Sequence, residues 1–485
     1  MRLRINLILP ILIILFSIFL RFYRFEEFVT FLGDQGRDAI VIKRIVSLEH
    51  FPAIGPPSSL GQIFLGPFYY YLTAPFLLLF NFSPVGPAVG VAIISLIGIV
   101  MASLLIKKEV NYLTALLFFI FSVFSSVNVQ FSRFSWNPNL LPVFSFFTLF
   151  FFYKLLLTKN KWYAAIFGAF LSFSIQLHHL AFLLMPTIFF ISLYYFRKNK
   201  NNFLFAQLRN YLIAFISFLF FTLPLLIFDL RHQYLNSRNF IKMFTEGNPT
   251  DHELLLNRFL DTNASFYLHA FQTKTNQYLA LFFTIFILLF VLKKFLSPKK
   301  LFVQIHMLNF IIFILGFSFF NASRNAHYYN PVYLSFFLVL SWFITNITKN
   351  KLKQSFVILL IALPYLFFNT KSLNYLMLTS GNNQIKKAEN IAGSILQKNP
   401  QIPYQTVALP YVETDGHIRY FLEINGKRPL ASDTLIEPVE LYALCFEIEC
   451  QILGNPQWQI AAFKKAAIDK IWTVEGVTVY KLIHR

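Results

Sequence analysis

Two carboxylates four residues apart, Asp34 and Asp38, follow the first apolar stretch of the chain. If a short helix begins near Gly33, this spacing places both carboxylates on one helix face. Partial desolvation at a lipid boundary raises the pKa of a carboxyl group towards the range of an effective general base. The pattern therefore predicts Asp34 as a catalytic base and Asp38 as a second catalytic carboxylate. The structural alternatives are that Asp34 only caps a helix and that Asp38 only pairs with Arg37 or Lys43.

Cationic side chains recur in the polar segments that follow later apolar stretches. An arginine fork binds phosphate through two parallel hydrogen bonds, and a departing phosphate at a membrane surface needs such donors. We interpret Arg231, His232, Arg324 and His327 as the binding set for a donor phosphate. The alternative is that these side chains snorkel towards lipid headgroups or pair with acids such as Asp229.

The composition is that of a membrane protein built from helices. Of its 485 residues, 56% are hydrophobic and only 13% are charged, and the mean hydropathy is +0.57. Soluble domains carry about 25% charged residues. Apolar runs of about 17 residues or more recur, and because hydrocarbon forces every backbone group to be satisfied within its own segment, the predicted fold is all-α and polytopic. The 63 phenylalanines fit a compositional bias that fills lipid-facing positions.

Charge placement predicts the topology. The net charge of +20 raises the question of nucleic-acid binding. However, the lysines form short clusters between apolar runs, as cytoplasmic loops do under the positive-inside rule, so we predict no nucleic-acid partner. Placing the clusters inside gives about 11 transmembrane helices, a cytoplasmic N-terminus and an outer face that carries the residues named above. The clusters are Lys107-Lys108, Lys159–Lys161, Arg197–Lys200, Lys293-Lys294 with Lys299-Lys300, and Lys349–Lys353.

One segment, Phe64–Phe80, decides this topology. It is apolar enough to span, but spanning would put Lys107-Lys108 outside. Gly66-Pro67 and Pro75 interrupt it and its tyrosines suit the headgroup region, so we interpret it as lying in the interface. The first outer loop then covers about 21–85 and contains juxtamembrane helices. After an N-terminal anchor, the spans lie at about 86–106, 111–128, 140–157, 162–177, 180–196, 210–228, 277–292, 301–320, 331–347 and 354–371.

The last part of the chain, residues 372–485, is no longer membrane-like, so the membrane domain covers residues 1–371. Helical periodicity in Gln384–Gln397 and strand patterns elsewhere predict a small extracytoplasmic α/β domain. Cys445 and Cys450 lack the spacing of a zinc site. A disulfide suits an oxidising compartment, but a continuous strand would separate them by roughly 16 Å, so their pairing stays open. The predicted strands are Thr406–Pro410, Leu441–Ile448 and a hairpin at Trp472–Lys481 that turns at Glu475-Gly476.

The order of these motifs resembles the GT-C superfamily of integral-membrane glycosyltransferases, especially the bacterial branch of protein O-mannosyltransferases and the lipid A aminoarabinose transferase. In that family an acid in the first outer loop, here Asp34, precedes a Tyr-Tyr stretch, here Tyr69-Tyr70. A Ser-Arg motif ends the third span, matched by Ser132-Arg133. A Tyr-Tyr-Pro segment opens a late span, matched loosely by His327–Pro331. The resemblance covers about residues 1–345.

Two departures concern the second acid. The relatives often carry an adjacent Asp-Glu pair in the first loop, whereas Gln35 follows Asp34 here. The acid near the Ser-Arg motif is replaced by Trp136–Asn139. Asp38 or Asp229 is then the candidate for a second carboxylate.

The resemblance implies inverting transfer of a sugar from a polyprenyl-phosphate donor to an acceptor hydroxyl at the outer face of the cell membrane. Asp34 would deprotonate the acceptor, and the cationic set would stabilise the departing phosphate. It also implies a substrate pocket that contains Arg133, Asn137, Tyr69 and Tyr70. We expect no cofactor and no metal site, with a divalent metal left open. The expected partners are the lipid-linked donor, membrane lipids and an acceptor that is a lipid, a glycan or a protein.

Two alternatives to an enzyme are a transporter and a scaffold. A transporter or lipid flippase would place ionisable residues at mid-membrane in broken helices, often in two related halves. Here the charges lie at the outer ends of spans, and no sequence repeat is visible. In a non-catalytic scaffold, the function would lie in the C-terminal domain outside the membrane. The grouping of acids, glycines and an arginine at Gly33–Asp38 would then be accidental.

Overall fold

Helices make up most of the molecule. The computed structural model describes residues 2–58, 63–158, 160–198, 204–245, 254–292, 298–320 and 323–485, so Lys159, Asn199, Lys200, Lys293 and Lys294 of the predicted cytoplasmic clusters lie outside the described residues. Up to residue 372 the helices are α1 (Arg2–Phe22), α2 (Phe25–Phe28), α3 (Gly33–Val46), α4 (Phe68–Leu79), α5 (Val85–Glu109), α6 (Tyr112–Phe124), α7 (Ser126–Phe131), α8 (Leu141–Leu157), α9 (Lys161–Leu177), α10 (Leu184–Lys198), α11 (Leu204–Arg231), α12 (Leu235–Thr245), α13 (Leu255–Phe271), α14 (Gln277–Leu292), α15 (Pro298–Ser318), α16 (Tyr333–Asn346) and α17 (Lys351–Ser372).

Each predicted span overlaps at least one of these helices, and the span predicted at 111–128 falls on two, α6 and α7. Among the described residues, six helical segments are long and apolar enough to cross a membrane, which makes the protein a polytopic membrane protein. The segment Phe64–Phe80 contains α4, whose 12 residues are about 18 Å long. Its interfacial position stays a prediction. The six segments are Val85–Glu109, Asn137–Leu157, His179–Arg197, Leu208–Arg231, Lys300–Ser318 and Lys351–Leu378.

Many phenylalanines lie inside the helix bundle. Phe118, Phe121 and Phe146 are at most 1% exposed. The ring of Phe121 meets that of Tyr365 edge to face, with centroids 4.8 Å apart. The expectation that phenylalanine mainly fills lipid-facing positions is therefore wrong for these core positions, although exposed rings such as Phe220 follow it. Aromatic packing between helices supplies much of the apolar burial that holds the bundle together.

The chain after residue 372 forms a small α/β domain. Its sheet has the order β1-β2-β4-β3, with β1 and β2 parallel and the other neighbours antiparallel. The carboxyl ends of β1 and β2 therefore meet at one edge of the sheet. The elements are α18 (Tyr375–Leu378), α19 (Gln384–Leu396), β1 (Tyr404–Leu409), α20 (Gly416–Ile424), β2 (Glu440–Cys445), α21 (Trp458–Ala462), β3 (Ala466–Val474) and β4 (Val477–His484).

Local predictions for this domain hold with one correction. The hairpin turns at Glu475 and Gly476, whose φ values of 51° and 80° suit a tight hairpin turn. Strand β2 ends at Cys445 and does not continue to Ile448, so that prediction is wrong. Because the chain turns directly after β2, Cys445 and Cys450 lie 5.9 Å apart between Cα atoms and form a disulfide.

Candidate active site

Helix α3 begins at Gly33 and carries both predicted carboxylates in its first two turns. The side chain of Gln35 reaches back and accepts a hydrogen bond from the Leu32 backbone N–H at 3.1 Å, which secures the helix start. Asp34 lies in the first turn, where the unsatisfied N–H groups of the helix favour a negative charge. Gln35, the residue that follows Asp34, therefore stabilises the start of the helix. A glutamate at this position, as in the Asp-Glu pair of the resembling family, is not required for this hydrogen bond.

Arg37 joins the two carboxylates. Its Nη1 donates to Asp34 Oδ1 at 2.9 Å, and its Nε and Nη2 donate to Asp38 Oδ1 at 2.9 and 2.8 Å. The two acids differ in access, because the Asp34 side chain is 55% exposed and that of Asp38 is 1% exposed. Asp34 is thus held in place and open to a reactant, whereas Asp38 lies behind it. Lys43 instead pairs with Glu49 and Glu423.

Asp38 is held in a buried polar group. The Tyr70 hydroxyl donates to Asp38 Oδ1 at 3.0 Å. Burial raises the pKa of Asp38 to about 6, although the Arg37 guanidinium opposes that shift. The other carboxylate oxygen, Oδ2, is buried without a hydrogen-bond partner among the described residues. This arrangement lets Asp38 position Arg37, and through it Asp34. A pKa of about 6 leaves Asp38 mostly ionised at neutral pH.

The tyrosines of α4 connect this helix to the segment after α7. The Tyr69 hydroxyl is hydrogen-bonded to the Ser135 hydroxyl. Two residues further on, Asn137 Nδ2 donates to the Leu177 carbonyl at 2.6 Å, at the end of α9. Tyr70 contacts α3 through Asp38, whereas the bonds of Tyr69 and Asn137 join α4, the segment after α7 and the end of α9.

Arg133 has a role that the sequence did not indicate. Its Nη1 donates to the carbonyls of Leu20 and Arg21, and its Nη2 donates to those of Tyr23 and Arg24, at 2.8 to 3.3 Å. A cation on the last carbonyls of a helix satisfies them and opposes the helix dipole. Arg133 therefore fixes the end of α1 and the start of the first outer loop. Its place in a substrate pocket stays a prediction.

The first half of the predicted phosphate set ends α11. Arg231 and His232 are both exposed. His232 lies against Phe228, with ring centroids 4.1 Å apart and Nδ1 2.8 Å from the Phe228 carbonyl. Asp229 accepts hydrogen bonds from the backbone N–H groups at the start of α12, at 2.7 Å from Asn236. Asp229 is therefore a helix cap, which makes it a poor candidate for the second catalytic carboxylate.

The second half of the set lies between α15 and α16. Arg324 donates from Nη1 to the Phe320 carbonyl at 3.1 Å, and its guanidinium lies over the Phe317 ring. The His327 ring packs against Trp136, with centroids 4.8 Å apart. Burial lowers the pKa of His327 to about 4. At neutral pH His327 can therefore donate one hydrogen bond to a phosphate but brings no positive charge.

Close contact with the C-terminal domain sets the position of α3. A Cβ at Gly36 would lie 2.1 Å from the backbone nitrogen of His417, and a Cβ at Gly416 would lie 2.5 Å from the Gly33 carbonyl oxygen. Beyond this contact, Arg44 makes a two-pronged ion pair with Glu423 at 3.0 and 2.8 Å. The sequence analysis did not predict this contact between α3 and α20. The signal that could have indicated it is Gly33 and Gly36, three residues apart on α3, together with Gly416 at the start of α20. Helix α20 thus braces the helix that carries the carboxylates.

No group of three or more histidine, cysteine, aspartate or glutamate side chains within the described residues is arranged to hold a metal ion. The site contains instead one exposed carboxylate, one buried carboxylate and an arginine between them. Such a site can accept a proton at Asp34 and hold that carboxylate in a fixed orientation.

Comparison with known proteins identifies the fold. No protein-family model and no curated protein sequence matches the chain. Its structure is similar to that of ArnT from Cupriavidus metallidurans bound to undecaprenyl phosphate, with a TM-score of 0.61, 12% identity and 97% of each chain covered. The apo form of ArnT matches with a TM-score of 0.58 and 12% identity over 99% of this chain and 97% of that one.

A second similar structure is the apo oligosaccharyltransferase of Archaeoglobus fulgidus. It matches with a TM-score of 0.53 and 14% identity over 88% of this chain and 64% of that one. ArnT and the archaeal enzyme are membrane glycosyltransferases of the GT-C superfamily. The chain has the GT-C fold, and the resemblance found in the motifs is confirmed at the level of fold.

Proposed function

We propose that the protein transfers a sugar from a polyprenyl-phosphate donor to an acceptor hydroxyl at the outer face of the membrane, with inversion at the anomeric carbon. The observation that carries this proposal is the pair of unequal carboxylates on α3. Asp34 is exposed and oriented by Arg37, and Asp38 is buried behind them. The GT-C fold supports the reaction class, and the undecaprenyl phosphate bound to ArnT supports a lipid phosphate as the partner.

In this mechanism Asp34 takes the proton of the acceptor hydroxyl as that oxygen attacks the anomeric carbon. The bond from the anomeric carbon to the phosphate oxygen breaks, and the polyprenyl phosphate leaves with the electron pair. Its negative charge needs hydrogen-bond donors and cations more than it needs a general acid. We assign this role to Arg231, His232, Arg324 and His327, with His327 acting as a neutral donor.

The proposed orientation places the N-terminus in the cytoplasm and the C-terminal domain outside. Lysine clusters such as Lys107-Lys108 and Lys351–Lys353 support cytoplasmic loops under the positive-inside rule. The Cys445–Cys450 disulfide supports an oxidising compartment for the C-terminal domain. A lipid-linked donor suits this arrangement, because its isoprenoid tail stays between helices while its phosphate meets α3 at the outer surface.

The test is sugar transfer in isolated membranes. Membranes that contain the protein are incubated with polyprenyl-phosphate sugars labelled in the sugar, and the label that enters endogenous acceptors is counted. We expect Asp34→Asn to reduce transfer by at least about 100-fold, the lower limit of the range found for general acid–base groups. Glu26→Gln is the matched control, because Glu26 is an exposed acid in the same loop. Equal transfer by wild type and Asp34→Asn, at equal membrane insertion, would refute the assignment.

One buried group favours the transporter alternative. His306 lies inside α15, and its Nδ1 is 2.8 Å from the Ser335 hydroxyl of α16. An ionisable residue within a membrane span often marks a transport pathway. Lipid movement across reconstituted vesicles that is abolished by His306→Leu but unchanged by Asp34→Asn would favour transport over glycosyl transfer.

A further inference from the structure

A cavity in the C-terminal domain is lined by the start of the loop that follows β1, and the same loop contacts α3 through Thr414. The cavity has a volume of about 430 Å³ and opens at the carboxyl ends of β1 and β2. Small-molecule sites have volumes of roughly 300–1,000 Å³ and combine aromatic walls with a few polar groups. The walls here include the aromatic rings of Tyr411 and Trp458, the carboxylates of Glu447 and Glu449, and the amides of Asn455 and Gln457.

We propose that this cavity binds a neutral sugar unit of a glycan acceptor and thereby holds the acceptor hydroxyl near Asp34. This inference rests on the proposed glycosyl transfer and narrows its acceptor to a glycan.

The loop after β1 links the cavity to α3. Tyr411 lines the cavity, and three residues later Thr414 lies directly against Gly33, the residue before Asp34. Three residues of extended chain span at most about 11 Å. A short oligosaccharide can therefore occupy the cavity and still present a hydroxyl to Asp34.

The polar groups of the cavity fit hydroxyls. Gln457 Nε2 donates to the Ala408 carbonyl at 3.0 Å, which orients the amide. Its Oε1 is buried and has no hydrogen-bond partner among the described residues. That oxygen has no exposed surface, so the acceptors that a ligand can reach are the carboxylate oxygens of Glu447 and Glu449, which are exposed at the rim.

The charge of the cavity selects against anionic ligands. Glu447 and Glu449 are exposed at its rim, and among the described residues no lysine or arginine lines it. Carboxylates accept hydrogen bonds from sugar hydroxyls and repel phosphate groups. The faces of Tyr411 and Trp458, both largely exposed, can stack against the C–H face of a sugar ring. A neutral hydroxyl-rich ring satisfies both features, whereas a phosphorylated acceptor satisfies only the second.

The Cys445–Cys450 disulfide belongs to this cavity. Cys450 is one of its lining residues, and the bridge closes the turn of four residues, 446–449, that carries Glu447 and Glu449. A covalent closure of this kind restrains the loop, so the two carboxylates keep their place at the rim.

Binding of defined oligosaccharides to the purified full-length protein tests the proposal. Saturation-transfer NMR measures contact with neutral oligosaccharides of glucose, mannose or N-acetylglucosamine and with the same compounds carrying a terminal phosphate. We expect at least one neutral series to bind in a saturable manner and the phosphorylated forms to bind more weakly. Trp458→Ala is expected to weaken binding by about tenfold. Trp162→Ala, which removes an exposed tryptophan of α9, is the matched control.

Two further variants separate the possible outcomes. Asp34→Asn should bind the oligosaccharide normally and lose transfer. Wild-type protein that binds the oligosaccharide but transfers no sugar would refute the proposed reaction and leave the binding site standing. The double variant Glu447→Gln with Glu449→Gln should improve binding of the phosphorylated form. Absence of saturable binding by every neutral series up to about 10 mM, equal binding by Trp458→Ala and wild type, or tighter binding of the phosphorylated forms would overturn the glycan subsite.

Discussion

Replacement of Gly36 by alanine tests whether the C-terminal domain holds the catalytic helix in place. The new Cβ would lie 2.1 Å from the His417 backbone nitrogen and 2.2 Å from the Gly416 carbonyl carbon. Both neighbours are backbone atoms, which cannot rotate away as the end of a side chain can. Restoring an ordinary contact of 3.4 Å requires α3 and α20 to separate by about 1.3 Å.

Such a separation should affect activity more than folding. Overpacking of a tight contact costs about 1–3 kcal/mol of folding free energy. Asp34 and Arg37 lie in the same helical turns as Gly36, so the same shift displaces the base from the acceptor. A misplacement of about 1 Å at a reacting group can lower the rate by about 100-fold. We therefore expect Gly36→Ala to remain folded and to lose between about 10-fold and 100-fold in transfer rate.

The assay compares transfer rate and thermal unfolding for wild type, Gly36→Ala and a control. Gly393→Ala is the control, because a Cβ there meets no atom within 4 Å and the residue lies inside α19. Gly33→Ala should be milder, since it meets the Thr414 side chain, and Thr414→Gly should restore it. Wild-type transfer by Gly36→Ala, or a loss that matches only the loss of folded protein, would refute the reasoning.

Two other predictions follow from the site. Because the folded protein keeps the proton of Asp38 up to about pH 6 and the unfolded chain releases it near pH 4, the contribution of Asp38 to stability falls as pH rises between these values. Because ionised Asp38 orients Arg37, kcat/KM should fall as pH is lowered below about 6. If kcat/KM of Asp38→Asn falls over the same pH range, the assignment of this fall to Asp38 is contradicted. Arg133→Ala should lower the free energy of unfolding by about 3 kcal/mol or more, since four carbonyls at the end of α1 lose their donor. The folded fraction of this variant should keep the KM of the wild type for the donor. A raised KM at unchanged thermal stability would show that Arg133 contacts the substrate.

Local patterns predicted much of the architecture. Each predicted span overlaps a helix, because an apolar run in hydrocarbon must satisfy its backbone hydrogen bonds within the segment itself. The hairpin at Glu475-Gly476 and helix α19 follow from equally short patterns. The placement of Asp34 and Asp38 on one helix also followed from their spacing.

Several contacts have no signal in a short stretch of sequence. Arg133 is bonded to the end of α1, more than 100 residues earlier in the chain. Asp229 caps α12, a role that needed the start of that helix to be known. The pairing of Cys445 with Cys450 depended on the strand ending five residues before the second cysteine.

The sequence by itself determined that this is a polytopic helical membrane protein, that a small α/β domain follows, and that a helix with two carboxylates on one face begins after the first apolar stretch. These properties follow from local hydrophobicity, charge and spacing. Only the tertiary structure decided which carboxylate is exposed and which is buried, because Tyr70 of α4 packs on Asp38 from another helix. It also decided that α20 packs on α3 through glycines from opposite ends of the chain, since backbone contact depends on shape that no local pattern records.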